Sequence, residues 1–243
     1  MKNCLIIGAN SDIAKALAAQ FAKAKYNLCL TGRNMEELKK TASDLNIRFG
    51  VQAEALFFDV LQYETHETFF QQLEPKPDVV IAAAGLLGDQ SIAETDPQYA
   101  RLIIDTNFTG VAGILNEAGN YFETIGKGSV IGISSVAGER GRKKNYFYGA
   151  AKAGFTAFLS GLRQRLHPKG VFVMTVLPGF VRTKMIENEE TPWLLTAEPE
   201  KVAKQIFNGW KSRKPVIHTP HYWWLIMCMM KMIPEKIFRK LNV

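Results

Sequence analysis

An α/β fold, with one doubly wound parallel sheet of about seven strands and helices on both faces, is what this sequence predicts. Three observations predict it. Apolar runs alternate with helix-period stretches along most of the chain. The runs are apolar throughout rather than at every second position, as in strands covered on both faces. A length of 243 residues, with 47% hydrophobic and 22% charged residues, suits a single domain with a sizeable core.

Strands read in order at 4–8, 27–32, 53–59, 79–84, 128–134, 171–177 and 215–218. Helices read at 12–24, 34–45, 63–72, 97–121, 148–166 and 199–207. The run at 4–8 follows only three residues and is too short for a signal peptide, so it reads as the first strand. Cys4 and Cys29 fall inside strand runs, where a thiol is a small hydrophobe. With Cys228 they are too few and too scattered for a disulfide framework or a zinc site. A reducing, cytoplasmic setting is the expectation. Two stretches depart from the alternation: a polar, loop-like one at 184–198, and a tail at 221–243 rich in Trp and Met and then basic. Residues 1–220 are expected to form the domain and 221–243 an extension of it.

The net charge of +7 is compatible with nucleic acid, anionic lipid or a phosphate-bearing ligand. No basic run of the nucleic-acid-binding kind appears, the densest cluster lying at 140–144, so nucleic acid is not expected as a partner. The four histidines (His66, His167, His218, His221) show no ligand spacing, and no metal is expected.

Chemistry concentrates in Tyr148-Gly-Ala-Ala-Lys152, preceded by Ser135. Residues four apart share a helix face, so phenol and ammonium point the same way. A nearby cation favours the phenolate, and the expectation is a tyrosine pKa lowered toward working pH. Ser135 can bring a hydroxyl to the same carbonyl oxygen. Upstream, strand 4–8 ends in Gly8-Ala9-Asn10-Ser11-Asp12-Ile13-Ala14 and enters a helix. In a Rossmann-type unit, glycines here allow a tight turn, backbone approach to pyrophosphate and close packing. Only Gly8 is kept. Ala14 still packs closely, whereas the Asp12 carboxylate either repels pyrophosphate or favours the helix N-terminus from outside. The second strand ends at Gly32-Arg33, which offers no carboxylate for a ribose hydroxyl but a fork of donors for a 2′-phosphate, favouring NADP(H) over NAD.

These segments resemble, in order, the short-chain dehydrogenase/reductase family from Cys4 to about Phe207. The resemblance implies cofactor contacts from Gly8, Asn10, Ser11, Ile13, Asp59, Val60, Ala84, Gly85, Tyr148, Lys152, Pro178, Gly179, Val181 and Thr183. Ala82-Ala83-Ala84-Gly85 stands where the family usually has Asn-Asn-Ala-Gly. It implies four catalytic positions: Asn107 holding a water, Ser135 rather than Ser134, Tyr148 and Lys152. The implied activity is NADP(H)-dependent carbonyl reduction or the reverse, by a dimer or tetramer. The tail is similar to that of members acting on hydrophobic or lipid-linked substrates, with Trp193 and Leu194 lining an apolar mouth. A membrane-interface helix, a subunit interface and a pocket wall all fit its residues. A soluble 3-oxoacyl thioester or general carbonyl reductase is the nearest alternative, and a non-catalytic NADP-binding regulator the more distant one.

Overall fold

The computed structural model describes residues 2–187 and 191–241. Seven strands form one sheet: β1 (Asn3–Ile7), β2 (Asn27–Gly32), β3 (Ala53–Phe57), β4 (Val79–Ala82), β5 (Ser129–Ile133), β6 (Phe172–Pro178) and β7 (Val216–Thr219). Their order is β3-β2-β1-β4-β5-β6-β7, with every pair parallel. β4 and β6 are buried from end to end, which is why their sequences are continuously apolar. The chain builds outward from β1 in one direction, then crosses back to lay β4 on its other side. That reversal opens a crevice at the carboxyl ends of β1 and β4, where ligands of such sheets bind.

The helices are α1 (Asp12–Lys23), α2 (Met35–Phe49), α3 (His66–Gln72), α4 (Gln90–Thr95), α5 (Pro97–Ile104), α6 (Gly110–Ile125), α7 (Tyr146–Leu166), α8 (Pro199–Lys211), α9 (Tyr222–Met232) and α10 (Glu235–Phe238). One face of the sheet is covered by α1, α2 and α8, the other by α3, α6 and α7. In α1 the buried residues Ala14, Leu17, Ala18, Phe21 and Ala22 follow helical spacing. Phe21 meets Phe207 of α8 edge-on at 5.0 Å between ring centroids.

Three features differ from the sequence expectation. The helix expected over 97–121 is split into α5 and α6 by a π turn at Asp105–Thr109. Helix α4 was not expected; at six residues it shows no periodicity, and its start rests on Asp89, which accepts from Ser91 N at 2.8 Å. The tail, which lacks visible periodicity, contains α9 and α10. Of the stretch at 184–198, residues 188–190 lie outside the described residues, as do 242–243 of the tail. Among the described residues no helix is long and apolar enough to cross a membrane.

Candidate active site

Gly8, the first residue after β1, has φ +79°, and a Cβ there would lie 2.4 Å from the Ala84 backbone nitrogen. Glycine at 8 therefore lets the ends of β1 and β4 approach each other. Ser11 caps α1, accepting from Ala14 N at 3.3 Å. Ile13 follows in the first turn of α1, partly buried against the core. Asn10 turns toward β2, donating to Asn34 O at 3.1 Å and accepting from Asn34 N at 3.3 Å. This explains Gly32 differently from the sequence, because a Cβ there would strike Asn10 Oδ1 at 2.5 Å. Arg33 is exposed and makes no hydrogen bond or ion pair among the described residues. After β3, Asp59 accepts from Leu61 N at 3.0 Å, and the carbonyl of buried Val60 accepts from His66 Nε2 at 3.0 Å.

Around β4 and β5 the side chains are buried. Tyr148 and Lys152 lie one turn apart on the inward face of α7, 9% and 3% exposed, so they do not form a solvated helix face. Lys152 Nζ donates to the carbonyl of Ile133, the last residue of β5, at 3.2 Å. A Cβ on Gly85, just past β4, would lie 3.5 Å from that ammonium and 3.0 Å from Asn107 Oδ1. Asn107 is held in the π turn; its Nδ2 donates to Leu86 O at 2.6 Å and Ile103 O at 2.8 Å, and its Oδ1 accepts from Leu86 N at 3.2 Å. Both of its N–H groups are spent, so a water there must be held by an oxygen, Oδ1 or a main-chain carbonyl. Ser134 is engaged with Lys152 O at 3.0 Å and Thr156 Oγ1 at 2.7 Å. Ser135 accepts from Ala137 N at 3.1 Å and keeps its O–H.

The structure moves the tyrosine pKa in the direction opposite to the expected lowering. Burial pushes the Tyr148 phenol up to about 12, against a smaller downward pull from the Ser135 hydroxyl. Burial likewise pushes Lys152 down to about 7. The ammonium stands 5.8 Å from the phenol ring centroid and donates to a carbonyl instead. Loss of water is thus the main cause of both shifts.

After β6, Gly179 N donates to Thr219 O at 2.9 Å, and Val181 pairs with Ala197 across an isolated bridge. Thr183 precedes a short turn at Lys184–Ile186. Trp223 of α9 lies on Gly179 so closely that a Cβ there would fall 1.9 Å from the indole. Val136, next to Ser135, forms a buried cluster with Leu177, Trp223 and Met227, and Phe180 and Leu195 pack around it. The tail therefore supplies a wall beside the serine segment. Trp193 and Leu194, expected to line the mouth, are 77% and 69% exposed, and their neighbour Leu195 turns inward instead.

Polar ties hold the tail there. Arg140 donates to Met230 O and, at 2.8 Å, to Ile233 O, pairs with Glu235 at 3.2 Å and lies over the Phe238 ring at 3.6 Å. Burial alone would raise the Glu139 carboxyl, but hydrogen bonds from His218 at 2.9 Å and Lys231 at 2.7 Å hold it below its ordinary value.

The sequence model of short chain dehydrogenases matches residues 2–192. The chain belongs to the short chain dehydrogenase family. Among its relatives, an uncharacterized oxidoreductase of Mycobacterium tuberculosis is 32% identical over 240 residues, covering 98% of this chain and 96% of that one. A 3-oxoacyl-[acyl-carrier-protein] reductase of Bos taurus is 28% identical over 194 residues, covering 78% and 80%. In fold, the chain is similar to a short-chain dehydrogenase from Sphingobium yanoikuyae solved in complex with NADPH, with a TM-score of 0.84, 24% identity and 97% of each chain covered.

Against the short chain dehydrogenase pattern, two departures acquire structural roles. Ala83, where the family usually has asparagine, still donates its backbone N–H to Ile7 O at 2.8 Å, so the β1–β4 edge stays joined. Asp12 accepts from Lys184 N at 2.9 Å. Sequence reading missed Glu37, whose carboxylate pairs with Lys15 and, at 3.3 Å, with Lys184. The hydrogen bond from Lys15 is the main cause holding that carboxyl below its ordinary value, and Lys184 adds to it. Its place in the first turn of α2, three residues after Asn34, was the available signal.

Proposed function

We propose that this chain is an NADP(H)-dependent oxidoreductase that reduces a ketone or aldehyde, or oxidises the alcohol, on a hydrophobic substrate. The observation that carries this reading is the buried Tyr148–Lys152 pair at the carboxyl edge of β4 and β5, with Ser135 beside the phenol. Three features suit a phosphorylated nicotinamide dinucleotide. The Gly8 turn feeds the N-terminus of α1, where backbone N–H groups and the helix dipole favour an anion. Arg33 has donors to spare at the end of β2. Lys152 is buried, yet one carbonyl is the only hydrogen-bond partner of its three donors among the described residues, leaving two for ribose hydroxyls.

When bound, the cofactor supplies the hydride. Tyr148 gives its proton to the carbonyl oxygen, and burial keeps that proton in place at neutral pH, as reduction requires. Ser135 donates its O–H to the same oxygen and steadies the developing negative charge. Asn107 braces the backbone at Leu86, beside Lys152. The wall of Trp223, Met227, Phe180 and Leu195 favours an apolar substrate. Tyr148→Phe should bind NADPH normally and lose about 10³-fold in turnover, the size of a lost general acid. Near-native turnover would remove Tyr148 from the role.

The same reading seats the tail on an anionic lipid surface. Trp224, Leu225, Met229, Met232 and Ile237 are exposed beside Lys231, Lys236, Arg239 and Lys240, the composition of an interfacial helix. The full chain should float with phosphatidylserine vesicles, and a Leu225→Glu, Met229→Glu variant should not, while both reduce a water-soluble ketone equally. A chain that ignores vesicles but dissociates from a dimer or tetramer on this substitution would make the patch a subunit interface. A soluble 3-oxoacyl thioester reductase is the second reading, favoured by the name of the bovine relative.

A further inference from the structure

We propose that Asp12 is a positioning residue that fastens the segment after β6 across the crevice and thereby sets how fast the dinucleotide exchanges. This rests on the reading above that the cofactor lies along these strand ends.

Asp12 follows β1, and Lys184 follows β6. In the sheet, β4 and β5 lie between those two strands, so the bond from Lys184 N to Asp12 Oδ2 closes a gap of three strand spacings, roughly 14 Å. To make it, the segment after β6 runs past Gly85 at the end of β4. Met185 marks the crossing, because a Cβ on Gly85 would sit 3.7 Å from its Cε. The strap is also anchored a second way: Lys184 Nζ reaches Glu37, which Lys15 pairs with from α1.

A glycine at position 12, as the family pattern has it, offers no acceptor to the strap. The carboxylate supplies a charged one, and charge-assisted bonds are about twice as strong as neutral ones. The bond also bears on the repulsion that the sequence raises. One Asp12 carboxylate oxygen is engaged by the Lys184 N–H, which turns it toward the strap.

Hydrogen exchange of the Lys184 amide in the full chain without cofactor tests the strap directly. Asp12→Gly should speed that exchange about tenfold or more, and Asp12→Asn, which keeps an oxygen acceptor, should stay within about threefold of the native rate. NADPH dissociation followed by stopped-flow fluorescence should accelerate in the same proportion in Asp12→Gly and not in Asp12→Asn. Lys184→Pro removes the donor without touching α1 and should accelerate release at least as much as Asp12→Gly, whereas Lys184→Ala keeps the N–H, loses only the exposed pair with Glu37 and should accelerate it less. Unchanged exchange in Asp12→Gly, or equal acceleration in the Gly and Asn variants, would overturn the proposal. Native protein that binds no NADPH would defeat the functional reading, while the exchange rates would still decide the strap.

Discussion

At the first turn, polar groups are spent on one another: Ser11 on a backbone N–H, Asn10 on both backbone groups of Asn34, Asp12 on Lys184 and Glu37 on two lysines. At the other end of the same crevice, the wall beside Ser135 is Trp223, Met227, Leu177 and Val136, and the polar ties sit behind it, on Glu139 and Arg140. In the function proposed above, the first region holds a charged dinucleotide, and the second, built by packing, selects a substrate by size and apolarity. Hydrogen-bond geometry at the first turn tolerates few residue types, whereas the wall tolerates any set that fills the volume.

Removing Trp223 attacks the packed region most severely. The indole is buried on Gly179, and deletion of a buried tryptophan side chain costs about 3–5 kcal/mol. Trp223→Ala should lower the urea midpoint accordingly and cut turnover, with NADPH affinity falling less because no first-turn residue belongs to the Trp223 cluster. Equal loss of cofactor binding and turnover would show that the two regions are not separable. Trp223→Phe keeps an aromatic ring over Gly179 and should recover most of the stability.

Lys152 yields a pH test of the region between them. Its pKa is lowered from 10.5 to about 7 by burial, so between those values the folded chain binds fewer protons than the unfolded one. Stability therefore rises with pH through this window. Cys4, Cys29 and Tyr148 are raised by burial and pull the other way at higher pH, which makes pH 7 to 9 the clean interval. Urea unfolding should show native stability climbing across it, and Lys152→Met should remove the climb. A native profile as flat as the variant's would mean that the ammonium is not desolvated.

How far the sequence reveals these features follows from the same contrast. All seven strands are legible, because burial on both faces demands continuous apolar runs. Tyr148 and Lys152 are legible as a pair from their spacing. Their protonation is not, because it depends on how much water the rest of the chain excludes. The π turn escapes because one wider turn leaves the apolar period of α5 and α6 almost intact. Helix α9 escapes because apolar residues lie on its packed stripe (Trp223, Met227) and on its exposed one (Leu225, Met229, Met232) alike, which erases the periodicity. Gly179 reads from the sequence as a cofactor contact, and the structure gives it a second reason, the indole above it.

The smallest expected effect belongs to Arg33, and it decides what the first turn recognises. Its side chain is exposed, so a contact with a 2′-phosphate is screened and worth about 1 kcal/mol, roughly fivefold in affinity. Arg33→Ala should weaken NADPH by that factor in fluorescence titrations at low salt, leave NADH unchanged, and lose the difference as salt rises. At position 32 a Cβ would meet Asn10 Oδ1, so the usual alternative, an acidic residue there, requires the Asn10 side chain to shift. Equal weakening of both dinucleotides would mean that Arg33 shapes the turn rather than reading the phosphate. The discriminating charge would then have to be sought in the Lys15–Glu37–Lys184 group, where two ammonium groups share one carboxylate.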